Sequence, residues 1–264
     1  MTQNEIWTLT QGDGPLVATA IHDGHAIRSD LEPLMALAEE DRLREEDPYT
    51  GRWTEIARNR IVATHSRFQV DLNRPPEKAV YRKPEDAWGL RVWRDELPDE
   101  QVARSFAEHA AFYRNAGARF ADLTRKYGCF FVFDLHTYNH RREGPDGPPA
   151  DPDGNPEVNI GTGTMEREKW APVVDRLIDQ LRRFDFLGRR LDVRENVKFK
   201  GGYFPRWIHR TFPNSGCAVS IEFKKFFMDE WTGELDSMQH EAIRLALLST
   251  VPVVEDALYK LLRK

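Results

Sequence analysis

Apolar and polar positions alternate along this chain in two rhythms, short β-like runs and longer stripes at helical spacing, the pattern of strands and helices laid down in turn. The run Leu16–Ile21 is rich in β-formers, follows Gly14-Pro15 and predicts a strand that ends at His22. Residues 29–44 place Leu31, Leu34, Leu37 and Ala38 at helical spacing behind Ser29 or Asp30 as a cap, so they predict a helix. From Arg60 to Asp71 there are two β-rich pieces. Asn73-Arg74-Pro75-Pro76 then forces the chain out of regular structure, because proline lacks an N–H and restricts its predecessor.

Val102, Phe106, Ala110, Tyr113, Ala116, Phe120 and Leu123 form one helical stripe within 99–126, closed by Gly128. Gly117 inside it weakens the helix by roughly 1 kcal/mol against alanine. Cys129–Phe133 reads as a buried strand running into Asp134-Leu135-His136. Residues 143–156 are dense in Gly and Pro and predict a loop placed to cover a site. Helical periodicity returns over 171–186, Leu191–Arg194 suggests a short strand, and Lys200–Tyr203 a turn. Ala218–Phe223 alternates as a strand should, and 237–262 is a last amphipathic helix with Pro252 as an interruption. No internal repeat is visible. The expectation is an α/β fold whose single domain spans residues 1–264.

Composition narrows the function. Of 264 residues, 40% are hydrophobic and 31% charged, enough for a core and a solvated surface, which excludes wholesale disorder. A net charge of −5 leaves no positive field for a phosphate backbone, so no nucleic-acid partner is expected. The amino-terminal run Met1–Trp7 has no basic stretch ahead of an apolar one, and nothing approaches the roughly 18 apolar residues of a membrane span. A cytoplasmic protein without a membrane partner is expected, as monomer or homodimer. Cys129 and Cys217 are far apart in apolar contexts and read as packing residues, not as a disulfide or a thiolate metal site. The tryptophans at 88, 93, 207 and 231 read first as packing, with a pocket lining as the alternative.

In open α/β sheets ligands bind beyond the carboxyl ends of the strands. Polar clusters stand at such positions: His22-Asp23-Gly24-His25, Asp71-Leu72-Asn73-Arg74, Asp134-Leu135-His136-Thr137, and Glu222 in the last strand. A lone histidine is more often a hydrogen-bonded structural residue than a ligand. Two imidazoles and a carboxylate holding zinc with one open position, however, make a recurrent hydrolytic site. The ion lowers the pKa of its water to about 7 and polarises a carbonyl. A carboxylate outside the coordination must then carry the proton to the leaving nitrogen, and Glu222 is the candidate.

Taken in order, His22-Asp-Gly, the run from Ser66 to Pro75 (Ser-Arg-Phe-Gln-Val-Asp-Leu-Asn-Arg-Pro), Asp134-Leu-His-Thr137, Asn159-Ile-Gly-Thr162, Phe199-Lys-Gly-Gly202 and Val219-Ser-Ile-Glu222 resemble the N-formylglutamate amidohydrolase family. The Ser66–Pro75 run is the most specific element. The resemblance implies a mixed central sheet flanked by helices, a three-layer architecture like that of the zinc carboxypeptidases and the phosphorylase/hydrolase-like folds. It also implies hydrolysis of an N-formyl or other N-acyl amino acid, such as N-formylglutamate, by water activated on one zinc ion or another divalent metal.

By the same resemblance His22 and His136 are metal ligands, Glu222 the general base, and Asn73 with Arg74 the grip on the substrate carboxylate. The acidic zinc ligand of the carboxypeptidases, three residues after the first histidine, is here His25. The family instead draws its acid from a downstream segment, which Glu45-Glu46-Asp47-Pro48 matches; this points to Asp47 first, with Glu46 second and His25 as ligand or partner. Asp134 reads as an acceptor for a ligand histidine or as a loop cap. Arg206 reads as a second carboxylate contact or a structural arginine, and Arg67 as a structural ion pair or a secondary substrate contact. Gly201-Gly202 reads as a turn before it reads as an anion contact. The family's usual Pro-His-Ala-Gly is here Ile21-His22-Asp23-Gly24, which leaves room for a carboxypeptidase or deacylase acting on another amide or peptide. A non-catalytic carboxylate-binding protein is the alternative of another class.

Overall fold

The computed structural model describes residues 6–263; the first five residues of the amino-terminal run discussed above lie outside them. Among the described residues, seven strands form one mixed sheet: β1 (Trp7–Thr10), β2 (Leu16–Ala20), β3 (Asn59–Ala63), β4 (Phe130–Tyr138), β5 (Val158–Gly161), β6 (Val193–Glu195) and β7 (Gly216–Lys224), in the order β1-β3-β2-β4-β7-β5-β6. The central four, β3, β2, β4 and β7, run parallel, while β1 and β5 each pair antiparallel to that core. Parallel strands need crossover connections, and these put helices on both faces.

One face is apolar along its whole length. Phe131, Phe133 and Leu135 of β4 and Val219, Ile221 and Phe223 of β7 pack there with α4 (Arg167–Arg183) and α6 (Ser237–Leu262), through residues such as Val174, Leu177 and Leu247. The other face changes character half-way. Phe130 and Val132 of β4 and Ala218 of β7 meet α3 (Asp99–Tyr127) and α5 (Tyr203–Thr211) through Phe112, Phe120, Phe204 and Ile208. Side chains alternate along a strand, so the next residues on that face are Asp134 and His136 on β4 and Ser220 and Glu222 on β7. The period-2 pattern thus aims polar groups at one end of one face and leaves the opposite face apolar.

Several expectations are corrected. Residues 29–44 are not one helix: a single 3-10 turn at Glu32–Leu34 gives way to extended Met35, which pairs with Trp93, before the short helix α1 (Glu39–Glu45). The physical reason is tertiary pairing: Ala36 and Leu37 N–H donate to the Val92 carbonyl, and Arg94 N–H to the Leu34 carbonyl. Only the first β-rich piece of 60–71 is a strand; at the second, Gln69 N–H bonds back to the Ser66 carbonyl in a turn. Tyr203 opens α5 where only a turn was read, and α6 continues through Pro252. β1 and β5 are strands that the sequence pattern did not single out. No described helix is long and apolar enough to cross a membrane.

Leu177 is fully buried between α4, α6 and the sheet. Leu177→Ala should cost about 2–5 kcal/mol of unfolding free energy, measured by urea titration, because the cavity it leaves cannot fully close.

Candidate metal centre

His22 lies two residues beyond β2, and His136 and Glu222 are direct cross-strand partners on β4 and β7. Asp47 comes from the turn after α1, where its N–H donates to the His22 carbonyl over 2.9 Å. The Nδ1 atoms of both histidines face one carboxylate oxygen: Asp47 Oδ2 is 3.3 Å from His22 and 3.0 Å from His136. Thr137 donates to the other oxygen, Oδ1, at 2.9 Å. One donor atom from each of His22, Asp47 and His136 lies within 4.8 Å of the others, and all three side chains are buried.

The outward nitrogens also meet carboxylates. His22 Nε2 bonds Asp71 Oδ1 at 2.8 Å, and Asp134 Oδ2 sits 3.1 Å from His136 Nε2, although that pair is not aligned as a hydrogen bond. Asp134 itself accepts from Thr19 and Ser220. An imidazole that offers its outer N–H to a carboxylate presents a lone pair inward, which is how histidine is held as a metal ligand. The two Nδ1 atoms and the Asp47 oxygen stand close enough to share a proton or a metal cation. The donor set of two nitrogens and one oxygen suits zinc.

The charge states agree. Burial opposes ionisation of Asp47, but the hydrogen bonds from His136 and His22 outweigh it and hold the carboxyl well below its ordinary range. Burial likewise opposes charge on His136, yet Asp134, Glu222 and Asp47 drive its pKa well up, so the surrounding carboxylates favour positive charge on this ring. Burial pushes Glu222 up to about 8; His136 and Arg67 pull it down, while Asp47 and Asp134 add to the rise.

A cleft opens on this cluster, lined by Arg67, Asn73, Trp88, Tyr138, Phe199, Gly201, Gly202 and Lys225 among others. Arg67 Nη2 donates to Asp71 Oδ2 at 2.8 Å, and the guanidinium lies over the exposed Trp88 ring at 4.9 Å. Asn73 accepts from Phe204 N–H at 2.9 Å through Oδ1. Gly202 is there because a Cβ would fall 2.2 Å from that same Asn73 oxygen.

Of the residues singled out from sequence, His22, Asp47, His136, Glu222, Asn73 and Arg67 therefore share one cleft. Arg74 stands beside it, over Tyr81 at 4.9 Å and 3.9 Å from Asp71. Glu46 and His25 turn away and pair with each other at 2.5 Å, with Ser66 also donating to Glu46. Arg206 is exposed and does not line the cleft: α5 buries Phe204, Pro205 and Ile208, which leaves position 206 facing solvent.

Asp71 was not recognised as a site residue. Wholly buried, it joins His22 to Arg67 and Tyr81; burial opposes its charge, but Arg67 and His22 hold the carboxyl well below its usual range. Its place inside the Ser66–Pro75 run was the available signal. Lys225, Glu45 and Arg142 also line the cleft and were not recognised. Burial lowers the Lys225 ammonium to about 8 against the pull of Asp47, Glu45, Glu230 and Glu46.

The family model described as N-formylglutamate amidohydrolase matches residues 14–228. No curated protein matches the chain. Among solved structures, an N-formylglutamate amidohydrolase from Ralstonia eutropha JMP134 superposes with a TM-score of 0.72 at 20% identity, covering 96% of this chain and 97% of that one. A gene product of Agrobacterium tumefaciens gives 0.65 at 18% identity, covering 98% and 96%. A metallo-carboxypeptidase from Burkholderia cenocepacia gives a much weaker likeness, 0.35 at 15% identity over 91% of this chain and 56% of that one.

Two outcomes follow from the geometry. Asp71→Asn, which weakens the acceptor behind His22, should lower zinc affinity by about 10- to 100-fold in chelator competition. A carboxyl whose folded pKa is raised contributes stability that is complete below its unfolded value, 4.5, and is lost as pH climbs through about 8. In chelator-stripped protein, Glu222→Gln should therefore gain Tm relative to the parent between those pH values and then level off; a difference flat with pH would contradict the burial assigned to Glu222.

Proposed function

The chain belongs to the N-formylglutamate amidohydrolase family, and from that premise we propose that it hydrolyses the amide bond of an N-formyl or related N-acyl amino acid, with N-formylglutamate as the reference substrate. The observation that carries this reading is the convergence of His22, Asp47 and His136 with Glu222 directly across from His136.

In this reading His22 and His136 hold one zinc ion, or another divalent metal, through Nδ1, and Asp47 through its carboxylate. When bound, the ion supplies Lewis acidity, making water acidic near neutral pH and drawing electrons from the amide carbonyl. Glu222 accepts the proton of the attacking water, whose oxygen forms the new bond to the carbonyl carbon. The same carboxyl then delivers that proton to the amide nitrogen as the C–N bond breaks, releasing a carboxylic acid and a free amine. A cation held there would favour the ionised carboxylate of Glu222, the form that accepts the proton.

Arg67 has donors beyond those taken by Asp71, Tyr81 and the Glu45 carbonyl, and we assign it the substrate carboxylate, with Arg74 and Asn73 alongside. Asp71 keeps the Arg67 fork fixed before substrate arrives. The wall of Trp88, Tyr138 and Phe199 favours, as the second reading, an acyl group larger than formyl.

Glu222→Gln should retain bound metal and lower kcat by about 10²–10⁴-fold, the usual span for a general base. Unchanged turnover would remove Glu222 from the chemistry, and a parent protein that binds carboxylates without turnover would favour a pure binding role. N-formyl, N-acetyl and peptidyl derivatives of one amino acid, compared by kcat/KM, separate the two substrate readings. Metal content of protein purified without chelator, with loss of turnover on stripping and its return on zinc addition, tests the metal dependence.

A further inference from the structure

Lys225 is a lysine with almost no access to solvent, 1% exposed, in a protein whose other cations are mostly at the surface. It follows the last residue of β7, three positions beyond Glu222, and its backbone N–H is bound to the Tyr138 carbonyl at the end of β4. Its ammonium reaches across to the segment that carries Asp47: Nζ donates to the Arg44 carbonyl at 2.5 Å and to the Glu46 carbonyl at 2.7 Å. Arg44 lies in the last turn of α1 and Glu46 just past its end, so neither carbonyl has a helical partner, and a lysine is a side chain suited to satisfy them.

The segment needs such an anchor. α1 is only seven residues long and stops at Glu45, and Glu46 is already extended. Tyr49, just past Pro48, holds a φ of 71° in the left-handed region that a bulky side chain rarely adopts. The turn between them presents Asp47 inward, on the side opposite to that where Glu46 meets His25. A rotation about this segment would exchange Glu46 for Asp47 or withdraw both from the histidines. An isolated buried ammonium is costly, and its retention here is explained if the two carbonyls and the surrounding acids compensate it for a purpose.

We propose that Lys225 is a positioning residue of the metal centre: it ties the Arg44–Asp47 segment to the strand that carries Glu222, so that the acidic ligand and the base keep one fixed relation. The inference rests on the metal reading above. It goes beyond that reading by giving a role to a residue outside the coordination and the proton path.

The test is zinc affinity by chelator competition on the full chain, with kcat measured at limiting and at saturating zinc. Lys225→Met, similar in length but without donors, should weaken zinc binding by about tenfold or more, and saturating zinc should restore most of kcat. Lys225→Arg, which keeps charge and donors, should recover most of the lost affinity. A Lys225→Met protein whose Tm falls while its zinc affinity equals that of the parent would overturn the proposal, because a merely structural lysine would behave so. Should Lys225→Met not fold, Lys225→Gln replaces it: a loss of several-fold in zinc affinity supports the proposal and an unchanged affinity overturns it. A parent that binds no zinc would sink the metal reading itself, a result distinct from parent and variant binding equally well.

Discussion

The mutual approach of three electron-pair donors governs this site. One oxygen of Asp47 stands 3.3 and 3.0 Å from the Nδ1 atoms of His22 and His136, in a buried pocket where water cannot screen them. Such a contact is held together by a shared proton or by a cation, and burial strengthens either. Asp71 and Asp134 behind the rings, and the upward push on the His136 pKa, all draw a cation to that point. Arg67 is drawn into the same network through Asp71, so the group assigned to hold substrate and a group assigned to hold metal share one carboxylate.

The sheet supplies the rigidity this requires. His136 and Glu222 are register partners on adjacent parallel strands, and β2 delivers His22 from the other side of β4. The separation of His136 and Glu222 is therefore set by backbone hydrogen bonds and by the two packed faces, and His22 follows two residues after β2. Asp47 is the exception, arriving from an irregular segment, and more local bonds are spent on it: the His22 carbonyl, Thr137, Thr50 and the carbonyls anchored by Lys225.

The parts of this arrangement that depend on local pattern were legible in the sequence. Strand alternation placed His22, His136 and Glu222 at strand ends, and the stripe from Val102 to Leu123 marked α3. What depends on distant partners was not. The apparent helical spacing of 29–44 is outweighed because Met35 and its neighbours find backbone partners around Trp93. Asp71 acquires its role from a histidine 49 positions earlier, and Lys225 from carbonyls about 180 positions away. Arg206 matched a pattern by spacing alone, and the amphipathic turn of α5 carries it to the surface. Asp47 could be ranked above Glu46 only by resemblance; in the structure the two side chains part, one to the histidines and one to His25.

The proposed cation site joins His22 and His136, through their Nδ1 atoms, with Asp47. X-ray absorption spectroscopy of protein loaded with one equivalent of zinc tests it most directly. The expected spectrum is that of a single site with two imidazole nitrogens and carboxylate or water oxygen at roughly 2.0–2.2 Å, with no sulfur, altered when Asp47 is replaced by alanine. Zinc bound through sulfur, or a spectrum indifferent to that substitution, would contradict it.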